Sequence, residues 1–396
     1  MNTKTQLWID KNLVKPFVST TNILVRFVGF LLRLDHNLEK DFNTIAICKY
    51  KGLGSIVQAS ALLQSLRESC PKAKIVFVST VGNAPLLKKM DCIDEIVLLN
   101  DRSAIKLIFS YPGFILKLIS LRIGVFIDLE IYSNFSSLTT TLSMARNRLG
   151  FYLRASHYRM GIYTHMMYYN TRVPIMHTYL QMVRLLKAKT IVEKLYPLKS
   201  NESPLVDGQY IVINPNASDL RIERRWPLHN FKLLIEKLSF KYPEQKIVLV
   251  GAPNEAEYVS KLHSYFQESN IINTAGKTSF DELIALIQNA ELVITNDTGP
   301  MHLAAACGVK TVALFGPCSP DQYGAINNVI PVYQNLYCSP CVHEFDIPPC
   351  LGDNQCMKQI QVETVIAAID KPSKEKPTRP EFTGGKDALG FVKRKA

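Results

Sequence analysis

Short apolar runs and amphipathic stretches alternate along this chain in two successive series. Short apolar runs predict buried parallel strands, and apolar positions at helical spacing between them predict the covering helices. The first series predicts strands and helices at residues 44–50, 56–68, 74–80, 96–99, 125–129 and 133–146. The second predicts them at residues 210–214, 231–240, 246–250, 255–266, 271–274, 280–288, 292–295 and 311–315. The pattern indicates an α/β protein with two doubly wound, Rossmann-like domains.

The alternation stops between residues 171 and 207, which hold one predicted helix at 178–188 and then Pro197 and Pro204. We expect the connection between the domains here. The predicted parts are an amphipathic segment at 1–40, a first domain at 41–190, a linker at 191–207, a second domain at 208–370 and a basic, disordered tail at 371–396. The two domains are expected to face each other across a cleft.

The N-terminal segment contains an apolar stretch at residues 23–34 that is interrupted by Arg26 and Arg33. It is too short to span a bilayer, and the first twenty residues lack the apolar core of a secretory signal. Two interpretations stay open: a helix lying in a membrane interface, or a helix packed on the first domain. A second apolar region, at 105–127, is broken by charges and a proline and predicts a helix followed by a strand.

Composition narrows the class of protein. The chain has 396 residues, 47% hydrophobic and 20% charged, which is typical of a globular protein. Its net charge of +12 suits an anionic substrate or an anionic membrane surface. We find no nucleic-acid-binding module and expect no nucleic-acid partner. The nine cysteines are expected to be reduced in a cytoplasmic enzyme.

The sequence at 295–317, TNDTGPMHLAAACGVKTVALFGP, predicts a strand, a polar turn, a helix and another strand. Pro300 suits the first turn of the helix, and Gly308 suits its end. A helix N-terminus at the carboxyl end of a strand is expected to bind a phosphate or diphosphate. Taken alone, Thr298 is better explained as a helix cap and His302 as a core histidine.

Polar loops follow the preceding strands of the second series in the same way. Each loop alone fits a solvated turn, but the carboxyl ends of successive parallel strands converge on one rim. Gly276 and Lys277 mimic the end of a phosphate-binding P-loop, yet Ile271 stands where that motif needs a glycine, so we exclude it. The candidate ligand-binding side chains in these loops are Asn216, Ser218, Arg224, Glu255, Lys277 and Thr278.

The order of these motifs, over roughly residues 44–370, resembles glycosyltransferase family nine, the heptosyltransferase family of bacterial envelope synthesis. The resemblance implies the two-domain GT-B architecture, with a nucleotide-sugar domain following an acceptor domain. It implies inverting, metal-independent transfer with no cofactor for catalysis. It also implies that Arg224 binds a phosphate and Glu255 a ribose, and that the diphosphate site is lined by Asp297, Thr298, Gly299, Pro300, Met301 and His302.

The first glycine turn departs from the family. Heptosyltransferases carry Gly-Asp there, and the Asp is the expected base, whereas this chain has Gly52, Gly54 and Ser55 on the acceptor side. A serine cannot act as that base without an activator, so we expect Ser55 to cap the following helix. The alternative base is Glu130, with Asp128 behind it. A carboxylate capping the helix from residue 133 is a competing interpretation.

Four cysteines, Cys338, Cys341, Cys350 and Cys356, lie within nineteen residues, with His343 among them. Four thiols this close in a loop suggest a structural zinc ion. Free or redox-paired thiols explain the same spacing.

Together these features predict a glycosyltransferase that moves a sugar, with heptose one candidate, from a nucleoside diphosphate donor. The predicted acceptor is lipopolysaccharide core or another lipid-linked envelope glycan, at the cytoplasmic face of the inner membrane. A non-catalytic relative that binds nucleotide sugar or glycan is the alternative. An NAD-dependent oxidoreductase is disfavoured because the turn at Gly52 and Gly54 lacks the third glycine of the dinucleotide fingerprint.

Overall fold

The computed structural model describes residues 8–33, 35–39, 42–153, 159–217, 221–344 and 350–372. These residues form two parallel six-stranded sheets with helices packed against them. Buried parallel strands explain the apolar runs of the sequence, since both faces of each sheet are covered. The tail from residue 373 lies outside the described residues, so its predicted disorder stays a prediction.

The first sheet has the strand order β3-β2-β1-β4-β5-β6. Its elements are β1 (Thr44–Cys48), α2 (Leu53–Ser69), β2 (Lys74–Thr80), α3 (Ala84–Leu87), β3 (Glu95–Leu99), α4 (Ala104–Ser120), β4 (Val125–Asp128), α5 (Asn134–Leu142), β5 (Asn147–Tyr152), β6 (His165–Tyr168) and α6 (Ile175–Leu185). The order reverses between β1 and β4, which is the topological switch point where such sheets bind ligands.

The second sheet has the order β12-β11-β10-β7-β8-β9. Its elements are β7 (Tyr210–Asn214), α7 (Leu228–Lys241), β8 (Lys246–Leu249), α8 (Ala256–His263), β9 (Ile271–Asn273), α9 (Phe280–Gln288), β10 (Leu292–Asn296), α10 (Gly299–Cys307), β11 (Thr311–Phe315), α11 (Pro320–Tyr323), β12 (Val329–Tyr333), α12 (Gln355–Lys358) and α13 (Val362–Ile369). Its switch point lies between β7 and β10.

The N-terminal segment forms a π-helical turn, Asp10–Val14, that continues into α1 (Lys15–Leu32). Val14 and Val18 are buried against Ile162 and Tyr163 of the first domain. No helix in the described ranges is both long and apolar enough to cross a membrane.

The two domains touch closely. The apolar core of the first domain continues into the second through Val293 and Leu303. Lys89 forms an ion pair with Asp281, and Ser200 and Gln288 exchange two hydrogen bonds of 2.9 and 2.8 Å. The structure therefore holds the carboxyl ends of both sheets near each other.

The structure corrects several element predictions. The helix predicted at 133–146 ends at Leu142, because Met144 has a left-handed backbone with φ of 55°. Strands β5 and β6 follow in a region where the sequence pattern predicted no element, and β12 was likewise missed.

Candidate functional site

The switch point of the second sheet is bridged by polar side chains. Asn214, the last residue of β7, donates hydrogen bonds of 3.0 and 2.9 Å to the hydroxyls of Thr295 and Thr298. Asn216 donates bonds to the Asn214 side chain and to the Val250 carbonyl, at 3.2 and 3.1 Å. The loops after β7, β8 and β10 are thus held together at one rim.

Helix α10 begins at this rim. Thr298 is its N-cap residue, but the Thr298 hydroxyl bonds to Asn214 and to the Asn296 carbonyl rather than capping the helix. The helix has Pro300 in its first turn and ends at Gly308, whose φ of 78° only glycine adopts readily. Because no side chain of the described residues caps its start, the N–H groups and dipole of α10 can receive an anion.

Arg224 lies beside the start of α10. Its Nη1 donates to the Asp297 carbonyl at 3.3 Å and lies 3.6 Å from the Asp297 carboxylate. Trp226 fixes this loop, since it is fully buried and its indole N–H donates to the Ile360 carbonyl at 3.0 Å. Within the described chain, Arg224 Nε and Asn216 Oδ1 are buried and have no hydrogen-bond partner. Buried polar atoms of this kind need a partner, and a bound ligand can supply one.

His302, at the rim of the second sheet, contacts helix α2 of the first domain. Its ring is buried, and its Nδ1 lies 3.4 Å from Gln58 Nε2 on α2. The ring also covers Gly54 so closely that a Cβ atom at residue 54 would lie 2.0 Å from His302 Cδ2. The pKa of His302 is lowered to about 4, mainly because the ring is buried; the nearby Asp297 opposes this shift and Arg224 adds to it. The imidazole is therefore neutral at pH 7.

The other residues predicted to bind the nucleotide sugar differ in burial and in hydrogen-bond partners. Met301 is fully buried in the core below α10. The Glu255 carboxylate accepts a bond from the Ala252 N–H at 2.8 Å, and Lys277 Nζ donates to the Asn273 carbonyl at 3.0 Å. Thr278 is half-buried before Ser279, which caps α9. Ser218 lies outside the described residues.

The acceptor-side turn differs from its prediction. Gly52, with φ of 83°, is the N-cap residue of α2, so Gly54 and Ser55 lie in the first turn of the helix rather than in a loop. The expected capping role of Ser55 is wrong, because the N-cap position is three residues earlier and receives no side-chain bond. Ser55 is half-buried.

Glu130 follows β4, and both oxygens of its carboxylate accept hydrogen bonds. Its carboxylate accepts bonds of 2.8 Å from Lys49 Nζ and from the N–H groups of Tyr50 and Lys51. Burial favours a raised pKa for Glu130, but Lys49 and the two N–H groups outweigh burial and hold the pKa below its usual value. These contacts argue against Glu130 as a base and show that it anchors the turn before α2 rather than capping α5.

Asp128 lies deeper. It is fully buried, and its carboxylate accepts bonds of 3.0 Å from Arg159 and 2.8 Å from the Ser136 hydroxyl. Burial raises the pKa of Asp128 despite Arg159. Asp128 thus ties the end of β4 to α5 and to Arg159 and has no path to the cleft in this arrangement.

The helix that starts after residue 133 is capped locally by Ser133, whose hydroxyl accepts the Ser136 N–H at 3.3 Å, and also by a residue from elsewhere. Asp10, from the N-terminal segment, accepts bonds from the N–H groups of Asn134 and Phe135 at 2.9 and 2.7 Å. Nothing in the sequence around Asp10 indicates this long-range contact.

His343 is a cleft residue that sequence reasoning considered only as part of the cysteine cluster. Its ring stacks on Tyr132 of the first domain with centroids 5.5 Å apart, and its Nε2 lies 2.7 Å from the Tyr323 hydroxyl. Burial and the nearby Arg224 lower the pKa of His343 to about 4. His343 therefore lies between Tyr132 of the first domain and Arg224 of the second.

The predicted zinc site is not supported. Cys338, Cys341, Cys350 and Cys356 are free thiols, two exposed, one half-buried and one buried. In the described ranges no group of three or more histidine, cysteine, aspartate or glutamate side chains is arranged to hold a metal. Spacing alone suggested the site, whereas the thiols face different environments.

Comparison with known proteins agrees with this geometry. Residues 178–351 match the family model "Glycosyltransferase family 9 (heptosyltransferase)". The lipooligosaccharide heptosyltransferase 2 of Campylobacter jejuni is 32% identical over 180 residues, which cover 43% of this chain and 55% of that protein. The chain thus matches about half the length of this curated relative.

Two solved structures show the same fold. A family 9 glycosyltransferase from Veillonella parvula has a TM-score of 0.65 at 21% identity, covering 75% of this chain and 88% of that one. The ADP-heptose lipopolysaccharide heptosyltransferase II of Escherichia coli has a TM-score of 0.63 at 20% identity, covering 82% and 97%. The predicted GT-B fold, two Rossmann-like domains facing each other, is confirmed. Residues 178–351 are thus similar to glycosyltransferase family 9, the heptosyltransferase family.

Proposed function

We propose that this protein is an inverting, metal-independent glycosyltransferase that transfers a sugar from a nucleoside diphosphate donor. The observation that carries the proposal is the rim at the second switch point. There an uncapped helix start, Arg224 and the unpartnered Asn216 Oδ1 converge. ADP-heptose is the first donor to test, because the solved E. coli relative is described with that donor.

The proposed chemistry depends on stabilising the negative charge of the leaving diphosphate. When the bond from sugar to diphosphate breaks, negative charge develops on the leaving oxygen. The N–H groups at the start of α10 and the Arg224 guanidinium would stabilise that charge, with Asp297 holding the guanidinium in place. Glu255, Lys277 and Thr278 would contact the nucleotide from the neighbouring loops.

We propose His343 as the base that accepts the proton of the acceptor hydroxyl. Ser55 stands where the family has its Asp, and Glu130 is held by Lys49 and two N–H groups. His343 faces the cleft from the donor domain and lies against Tyr132 of the acceptor domain. A diphosphate bound at Arg224 would cancel the positive charge that lowers the pKa of His343, and a higher pKa would make it a better base.

The proposed acceptor is lipopolysaccharide core or another lipid-linked envelope glycan, and the proposed location is the cytoplasmic face of the inner membrane, with the protein peripheral to it. The net charge of +12 supports an anionic surface as partner. The alternative, a binding protein without transferase activity, is favoured by the serine at residue 55.

Titration calorimetry with ADP tests the donor site. Replacing Arg224 by Gln removes a charged contact of about 2 kcal/mol, so we expect ADP to bind roughly thirty-fold more weakly. Arg184→Gln, a change at an exposed arginine paired with Glu193, is the matched control and should bind ADP like the wild type. Equal affinity of the Arg224 variant would exclude the assigned donor site.

Turnover separates the candidate bases. With ADP-heptose and a truncated lipooligosaccharide acceptor, we expect His343→Gln to lower kcat at least a hundred-fold with donor affinity retained. Glu130→Gln should lower kcat less and should also lower the melting temperature, since it breaks a buried ion pair. Tight donor binding without any transfer by the wild type would favour the binding-protein alternative.

A further inference from the structure

The N-terminal helix has an apolar face that nothing in the described chain covers. Its opposite face packs on the first domain through Val14 and Val18. The uncovered side chains are 45% to 79% exposed, and they are Trp8, Leu13, Phe17, Ile23, Leu24, Phe27, Val28, Phe30 and Leu31. Nine large apolar side chains in one segment exceed what a water-facing helix normally exposes, so this face fits an apolar partner.

The helix is firmly attached, so this exposure does not come from a detached segment. The Asp10 carboxylate accepts bonds from two N–H groups of α5, at 2.9 and 2.7 Å. Farther along, the Asn22 side chain donates to the Met160 carbonyl at 2.9 Å. These contacts fix which face of α1 points away from the protein.

Helix α4 adds a second apolar ridge. Ile105, Ile108, Phe109 and Leu116 are 67% to 81% exposed. Phe135 lies between the two helices: it contacts Tyr111 of α4, with ring centroids 5.0 Å apart, and packs with the cluster around Val14. The ridges therefore flank the same part of the first domain.

Both ridges are flanked by basic side chains, of which Lys117 is paired with Glu95. Residues 8–33 hold four Lys or Arg and a single acidic residue, Asp10, which is buried on α5. Residues 102–122 hold four Lys or Arg and no acidic residue. Aromatic and aliphatic side chains with basic neighbours, on helices too short or too polar to span, are the pattern of helices that lie in an anionic membrane interface.

A small cavity lies between the N-terminal segment and the ends of the first-domain strands. Its volume is about 60 Å³, and it is lined by Ile9, Val14, Leu107, Phe135 and Lys51 among others. Lys51 directly precedes Gly52, where the acceptor-side turn enters α2. The N-terminal segment therefore lies close to the acceptor-side turn.

We infer that α1 and α4 together form a docking surface for an anionic lipid bilayer, which presents the acceptor rim to lipid-linked acceptors. This inference rests on the proposed function for its purpose, but the surface itself can be tested without turnover.

Vesicle flotation of the full chain provides the test. We expect the wild type to float with vesicles of phosphatidylethanolamine and phosphatidylglycerol, less with phosphatidylcholine alone, and less at high salt. A variant with Phe17→Ser, Phe27→Ser and Phe30→Ser should lose about ten-fold of its vesicle-bound fraction. Phe240→Ser, at a phenylalanine 91% exposed on α7 of the second domain, is the matched control and should float normally.

The outcomes distinguish the proposed membrane-docking surface from the proposed donor site. Thermal stabilisation by ADP should be the same in the triple variant and the wild type, which shows that the variant is folded and reports on the donor site alone. Failure of the wild type to float, or equal flotation of the triple variant, would overturn the docking surface. So would light scattering that finds a wild-type dimer and a monomeric triple variant without vesicles, since a second copy would then cover the face.

Discussion

At the scale of single residues, His302 of the second domain packs directly on Gly54 of the first. The family resemblance drew attention to residue 55, yet the structure shows that its neighbour is the position where side-chain size matters. His302 covers Gly54 and leaves no room for a Cβ atom. The sequence could place each residue near a strand end but could not pair them, because their contact depends on how two domains meet.

Replacing Gly54 by Ala should therefore hold the domains apart. We expect a larger radius of gyration by small-angle X-ray scattering and at least a ten-fold loss of turnover. Gly82→Ala, where a Cβ atom would meet nothing within 4 Å, is the control. The double variant Gly54→Ala, His302→Ala removes the clash and should regain the compact radius; if it stays expanded, the contact does not govern closure.

At the scale of elements, sequence interpretation succeeded for buried strands that are apolar throughout and failed for a buried strand that begins with polar residues. The unit β10–α10–β11 was predicted nearly to the residue, because its strands are apolar on both faces and Pro300 and Gly308 mark the helix ends. Strand β5 was missed because it begins with Asn147 and Arg148, whose burial depends on distant partners. Arg148 Nε donates to the Ile162 carbonyl at 2.7 Å, a contact that no local pattern reveals.

The attachment of α1 through Asp10 makes a prediction at the same scale. Asp10→Ala removes the acceptor for two N–H groups at the start of α5 and should destabilise the docked N-terminal helix by about 1–2 kcal/mol. Hydrogen exchange should then be faster in residues 8–33 and at the start of α5, with the second domain unaffected. Asp35→Ala, at an exposed aspartate paired with Arg146, should leave α5 unchanged; equal exchange in both variants would contradict the capping role.

At the scale of the whole molecule, two buried histidines in the cleft make the free energy of unfolding depend on pH. Burial lowers the pKa of both His302 and His343 to about 4, whereas an unfolded histidine titrates near 6.5. Between pH 6.5 and 4 the unfolded chain therefore binds protons that the folded chain does not. The free energy of unfolding should fall as the pH falls through this window, by up to ~3 kcal/mol for each imidazole.

Melting temperatures between pH 7 and pH 4.5 measure this effect. His302→Gln should flatten the pH dependence of the melting temperature, while His229→Gln, at an exposed histidine on α7, should leave it as in the wild type. An unchanged slope in the His302 variant would show that its imidazole is already protonated in the folded state.

The N-terminal helix makes its described contacts with the first domain, through α5, Met160 and Ile162. A bilayer that held this helix would fix the orientation of the acceptor domain relative to the membrane plane. Any separation of the domains at Gly54 and His302 would then be a swing of the second domain alone, toward and away from the aqueous phase. Under the proposed function, donor exchange would occur during this outward swing, and the first domain would remain aligned with a membrane-held acceptor between successive cycles.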